Sequence, residues 1–331
     1  MKPMSQTNEI DIVIPVAQKD LRKLKYCING IKSHCLDKIR NIFVVCSKNI
    51  ASEVAENKDV KVVDEAAFPF TKAQISSLIS SALPIKRQFN NSGWYYQQLL
   101  KMYIFKIIPD LLENVLILDS DFFFRKQVSF FSNDPTPKIL LANGYPLDWE
   151  NNQNVQRSFV LAEFAKRLVP EWNTTNIYSG IHHHCIFNRS IINALHNEVE
   201  NLHDKDFWLA FIDSLDLSEW NAAAEYVIYY HYVLKKFRHL AETRHLNSYD
   251  FILDESFNGD IETMIETISS VIDAVGFHSL VQLKKRFDPL KLINENDGKI
   301  QNEGIYCIHL TNGNVEIVPA QKERISKQRA G

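Results

Sequence analysis

Apolar residues in the first part of the chain gather in short runs, with Asp11 and Lys61 the charged residues within them. Residues 11–16 form one run that closes on Pro15 and Val16, 42–46 form a second stopped by Ser47, and 60–63 form a third stopped by Asp64 and Glu65. Runs of this length, apolar without alternation, predict strands buried on both faces. Between them, residues 21–31 show helical spacing and 51–56 predict a second helix. Strand and helix alternate through the first 65 residues, which predicts a parallel sheet with crossover helices.

A long helix is predicted over 94–108, opened by Ser92 and Gly93 and closed by Pro109. It is apolar nearly all round, apart from a narrow stripe of Gln97, Gln98 and Lys101. A fourth strand follows at 115–118 and a fifth apolar run at 139–142. The second half reads as helices over 155–169, 190–202, 206–215, 221–237 and 261–275, with short runs around Phe277 and Tyr306. Residues 319–331 form a polar tail. With no repeat and no low-complexity linker, the expected partition is a main unit, 1–255, and a C-terminal subdomain, 256–331.

Composition narrows the class. At 331 residues, with 45% hydrophobic and 23% charged, the chain is not disordered, collagenous or coiled-coil. Ten glycines leave little room for a Gly-rich phosphate loop. A net charge of −3 gives no global case for a nucleic-acid partner. The first ten residues are polar, so no signal peptide is expected, and no apolar run reaches the roughly 20 residues of a membrane span. The five cysteines, Cys27, Cys35, Cys46, Cys185 and Cys307, are odd in number and contain no CxxC pair. That pattern argues against disulfides or a zinc knuckle and for a reducing cytoplasm. Lys322, Arg324, Lys327 and Arg329 in the tail allow only weak contact with an anionic membrane surface.

The strongest chemical signal is the run from Val115 to Phe124, in which the fourth strand leads into Asp119, Ser120 and Asp121 and then three phenylalanines. Residues i and i+2 of an extended chain point to one side. Asp119 and Asp121 can therefore share a hard cation, Mn²⁺ or Mg²⁺, which would neutralise a diphosphate. His182, His183 and His184 are consecutive. On a strand His182 and His184 share a face and His183 takes the other. One is expected against a donor or acceptor sugar and another in the core, with His182 and His184 the ligand-side candidates. A two-histidine metal site is the alternative. Glu225 opens the helix over 221–237, and Asp148 lies between Tyr145 and Trp149. Trp149, Trp172, Tyr178, Trp208 and Trp220 are candidates for a sugar-stacking platform.

The strand running into Asp119-Ser-Asp121 resembles the DxD motif of GT-A fold glycosyltransferases. The segment from Gly93 to Tyr103 (Gly-Trp-Tyr-Tyr-Gln-Gln-Leu-Leu-Lys-Met-Tyr) resembles the corresponding segment of the DUF6492 family of bacterial proteins read as glycosyltransferases. The stretches 178–184, 225–229 and 277–279 are similar to that family too. The resemblance implies a GT-A fold, α/β and Rossmann-like, with a mostly parallel sheet flanked by helices and a helix-rich C-terminal portion. It implies a nucleotide-sugar donor, UDP-sugar foremost, and a glycan or lipid-linked glycan acceptor, with hexosyl transfer by inversion in surface polysaccharide synthesis. Pro15, Val16 and Ser47 would border the nucleoside, while Ser120, Gln97, Gln98 and Lys101 would face the donor, Lys101 pairing with a phosphate or with Asp119. His278 would complete the metal shell with Asp119 and Asp121, in competition with His309. Glu225 would be the general base, with Asp148 as its alternative. Two other readings stand beside this one. One is a haloacid dehalogenase-like phosphohydrolase with Asp119 as nucleophile. The other is a sugar-nucleotide-binding module without activity.

Overall fold

A computed structural model describes residues 8–82, 91–147, 149, 158–219, 222–246, 248–253, 274–277, 305–311 and 314–319. The first half alternates as expected. β1 (Glu9–Pro15), α1 (Leu21–His34), β2 (Lys38–Cys46), α2 (Lys48–Val54) and β3 (Val60–Asp64) lead into α3 (Lys72–Ala82) and α4 (Ser92–Ile107). β4 (Asn114–Leu118), β5 (Phe122–Phe124) and β6 (Ile139–Ala142) follow. The second half runs α5 (Ser158–Leu168), β7 (His184–Asn188), α6 (Arg189–His203), α7 (Phe207–Asp213), α8 (Glu225–Lys236), β8 (Ala241–Arg244), β9 (Ser248–Leu253), β10 (Ala274–Phe277), β11 (Ile305–Thr311) and β12 (Asn314–Pro319).

The fold is mixed α/β around a mostly parallel sheet in the order β3-β2-β1-β4-β7. The first four strands are parallel, and β7 lies antiparallel to β4. Ile12, Val13 and Ile14 of β1 and Val115 to Leu118 of β4 are fully buried, which is why these strands read as continuous apolar runs. A second sheet, β12-β11-β9-β10-β5, takes strands from both sides of residue 255. The chain passes from the first sheet to the second within three residues, between the end of β4 and the start of β5.

One buried acid ties the strands together at their amino ends. Asp11 on β1 has no solvent exposure. Arg40 meets it with both Nε, at 3.0 Å, and Nη2. Asn41 Nδ2 donates at 3.1 Å, and the Leu112 backbone N–H just before β4 donates at 2.8 Å. Desolvation of the carboxylate is thereby compensated, as a buried charge requires.

Three expectations change. α3 is a helix that the reading of the runs did not anticipate; Ile75 and Ile79, four apart, are its buried face. The run at 139–142 is a strand, but it pairs in parallel with β8 in a separate two-stranded sheet. The helix expected over 261–275 lies outside the described residues as far as 273, and Ala274 and Val275 belong to strand β10.

Two glycines shape the approach to β7. Gly144 has φ +67° and a Cβ there would stand 2.5 Å from the Ile181 carbonyl oxygen. Gly180 has φ +65° and its Cβ would lie 2.3 Å from Tyr230 Cβ. Both need the left-handed conformation and close backbone approach that glycine alone supplies cheaply. Gly180→Ala is expected to lower unfolding free energy by roughly 2–4 kcal/mol, combining overpacking with an unfavourable φ. Urea denaturation measures this, and a loss below about 0.5 kcal/mol would contradict the packing of residues 179–181 on α8.

Candidate functional site

β1 pairs with β2 on one side and β4 on the other, so the strand order reverses between β1 and β4. In open α/β sheets that reversal leaves a crevice at the carboxyl ends of the strands. Pro15 and Val16 end β1, Ser47 follows β2, and Asp119 follows β4, so all four line this edge. The Val16 N–H is held by the Val45 carbonyl at 2.9 Å, and Ser47 Oγ donates to Asn49 Oδ1 at the start of α2.

Asp119 and Asp121 occupy the link from β4 to β5. Their side chains keep 15% and 18% of their surface in solvent, unlike the buried strand before them. The third member of the group is His183. Its backbone carbonyl accepts the Asp119 N–H at 2.9 Å, which continues the β4–β7 ladder beyond the Leu118–His184 pair. That bond brings His183 Nδ1 to 3.4 Å from Asp119 Oδ2. One ligand atom each from Asp119, Asp121 and His183 lies within 4.8 Å of the others. Two carboxylates and an imidazole make a ligand set that could hold a divalent cation.

Two lysines flank these acids. Lys101 of α4 is buried, with Nζ 2.7 Å from Asp119 Oδ1 and 2.7 Å from Glu225 Oε1. Its ammonium also lies 4.4 Å from the centre of the Tyr226 ring. Lys23 of α1 is buried 2.8 Å from Asp20 Oδ1 and 3.8 Å from Asp121 Oδ2. Counted formally, Asp20, Asp119, Asp121 and Glu225 against Lys23 and Lys101 leave two negative charges, the complement of one divalent cation. Burial alone would raise the Asp119 carboxyl, but the Lys101 ammonium, with His183, outweighs it and brings it down to about 2. Burial likewise opposes the charge on Lys101, and Asp119 and Glu225 overcome it, holding that ammonium well above its ordinary range.

The donor-facing expectations sort into two groups. Lys101 lies at the acids, Ser120 is buried between them, and Gln97 is half-buried on the same helix. The amide of Gln98 is spent on backbone groups. Its Nε2 donates to the Ala223 carbonyl at 3.1 Å and its Oε1 accepts the Glu225 N–H at 3.1 Å, so it caps α8. Tyr95 and Trp94 hold the same segment, Tyr95 Oη accepting the Ala222 N–H at 3.1 Å and Trp94 Nε1 donating to Ala223 at 3.3 Å.

Glu225 is corrected as well. A base needs a carboxylate open to the acceptor, whereas Glu225 is 3% exposed and committed to Lys101. His182 and His184 do share a face, their rings 4.3 Å apart, but that face is core. They pack on Phe122, and His184 also on Phe124 and Phe130. Ser248 Oγ lies 3.2 Å from His182 Nε2, and burial pushes the His184 imidazole well below its usual value. His183, which the alternation of faces separates from them, is the histidine that reaches Asp119. Asp148 and His278 lie outside the described residues. The backbone of His309 is in β11, opposite Glu316 of β12.

Comparison with known proteins adds the following. A family model described as "Family of unknown function (DUF6492)" matches residues 7–267. No curated protein matches the chain. Among solved structures, the apo form of mouse xyloside xylosyltransferase 1 is similar at a TM-score of 0.43 and 9% identity, over 81% of this chain and 97% of that one.

Lys101→Met would leave Asp119 and Glu225 buried without their shared cation. It is expected to cost about 3–5 kcal/mol, the range for breaking a buried pair on one side. Adding Glu225→Gln should restore at least about 1 kcal/mol, a coupling that a double-mutant cycle in urea reads directly. Because the folded pKa of Asp119 is lowered, its ionised form contributes stability above the unfolded value near 4, and this is lost as pH falls toward about 2. Thermal melts across that window should slope less steeply for Asp119→Asn than for the wild type.

Proposed function

The chain belongs to the DUF6492 family, and we propose that it is a metal-dependent GT-A type glycosyltransferase. In this reading it moves a hexosyl group from a nucleotide-sugar donor to a hydroxyl of a glycan or lipid-linked glycan. The observation that carries the proposal is the cluster of Asp119, Asp121 and His183 at the carboxyl edge of the sheet, where the strand order reverses. Asp119, Asp121 and His183 would hold the ion. A divalent cation there supplies positive charge against the diphosphate as the bond to the anomeric carbon breaks.

The chain's own residues supply the rest. Pro15, Val16 and Ser47 border the side of the crevice that takes the nucleoside. Lys101 keeps Asp119 ionised, and Lys23 stands 2.8 Å from Asp20 and 3.8 Å from Asp121. Glu225 is a positioning residue that anchors Lys101, so the acceptor proton passes in this proposal to Asp148. Holding charged groups fixed before the reaction removes the reorganisation that water would need. UDP-sugars and Mn²⁺ are the proposed donor and ion.

Thermal shift with UDP and Mn²⁺ tests the reading. UDP should stabilise the wild-type protein only when Mn²⁺ is present, and EDTA should abolish the shift. Asp121→Asn should remove it, and His183→Ala should weaken Mn²⁺ binding by at least about tenfold. Metal-independent binding of UDP, or turnover of p-nitrophenyl phosphate with indifference to UDP, would overturn the proposal.

A further inference from the structure

Trp94 is an exposed indole with a fixed orientation. It keeps 40% of its surface in solvent. Its ring is tethered by the Nε1–H bond to the Ala223 carbonyl at 3.3 Å, an oxygen that Gln98 also holds. A tryptophan that could bury itself gains from doing so, and a rigid plate with one open side is the arrangement that interfaces use. Among the described residues, Trp94 and Phe159 are the exposed large aromatic side chains.

Position separates Trp94 from Phe159. Trp94 and Lys101 are seven residues apart on α4, close to two full turns, so they share a face, and Gln97 lies between them on it. Lys101 touches Asp119. α4 ends at Ile107 and leads into the start of β4 at Asn114, so the helix runs against the strand. Its first turn therefore stands beyond the carboxyl edge, about 10 Å along the axis from Lys101 at 1.5 Å per residue. The indole thus lies on the carboxyl-edge side of Lys101. It also leans toward the half of the sheet away from β2 and β3. Ala223 leads into α8, and α8 packs over β7, with the Tyr229 and Phe187 rings 4.5 Å apart.

We infer that Trp94 is the stacking plate of an acceptor subsite, and that it takes a pyranose ring with one face made of C–H groups, such as a β-glucosyl or β-galactosyl unit. The inference rests on the glycosyltransferase reading for the word acceptor; the plate and its placement do not. Stacking on such a face is tolerant of hydroxyl pattern on the rim, so the subsite would recognise ring shape and leave finer selection to polar groups nearby.

The test uses the full chain labelled with 5-fluorotryptophan, which gives one ¹⁹F resonance for each of its five tryptophans. Trp94→Phe deletes and so assigns one of them; Trp94→Tyr assigns it independently if Trp94→Phe does not fold. The probes are methyl β-glucoside, methyl β-galactoside, and UDP with Mn²⁺. The Trp94 resonance should move progressively with at least one glycoside at millimolar concentration, and stay in place with UDP and Mn²⁺. Movement with UDP and Mn²⁺ but with neither glycoside would overturn the assignment and make Trp94 a donor contact. No movement with any probe, while UDP and Mn²⁺ still raise the melting temperature, would overturn the subsite and leave the donor reading intact. Movement with a glycoside and no thermal response to UDP and Mn²⁺ would uphold a sugar plate and sink the donor reading.

Discussion

The ammonium of Lys101, buried between Asp119 and Glu225, is the contact on which the rest depends. It brings three elements, α4, β4 and α8, to within one hydrogen-bond length of a common point. Removing water from three charges is costly unless each finds a partner in good geometry. The surroundings supply that geometry. Gln98, Tyr95 and Trp94 hold the chain entering α8, so that Glu225 arrives on Lys101 with its backbone already fixed. An arrangement of this kind leaves Asp119 ionised, oriented and still partly open to solvent.

Two kinds of acid meet in one sheet. Asp11, at the amino ends of the strands, is saturated by Arg40, Asn41 and Leu112 and has no exposure. Asp119 and Asp121, at the carboxyl ends, keep part of their surface in water and stand beside an imidazole. The first acid aligns β1, β2 and the approach to β4. The other two are then carried at a defined height above the edge, where an open parallel sheet has its ligand crevice.

Much of this was legible from residue order. Apolar runs marked β1, β2 and β4, and an acid pair directly after the buried strand marked the site, because burial on both faces and the end of burial are both written locally. β3 is a strand as expected but lies at the sheet edge, where none of its residues is fully buried and Lys61 is exposed. The three histidines show where local reasoning stops. Alternation separates His183 from His182 and His184, but which face meets the acids depends on how β7 registers against β4, a pairing made by residues about seventy positions apart. The same holds for Gln98 and Glu225, whose polar groups are claimed by each other's helices. Composition shows that buried polar groups need partners and does not say which. α3 was not legible: Ile75 and Ile79 stand four apart, but the serines around them leave too weak an apolar stripe.

The run of three imidazoles has a consequence for how the chain tolerates change. A strand slipped by one residue turns every side chain to the opposite face. On most strands that would replace a ligand with a core residue. Here a one-residue slip of β7 against β4 would bring His182 or His184 opposite Asp119 and turn His183 inward. A slip would therefore keep a nitrogen donor beside the acids, and its cost would fall on the packing around Phe122, where the His183 and His184 rings stack.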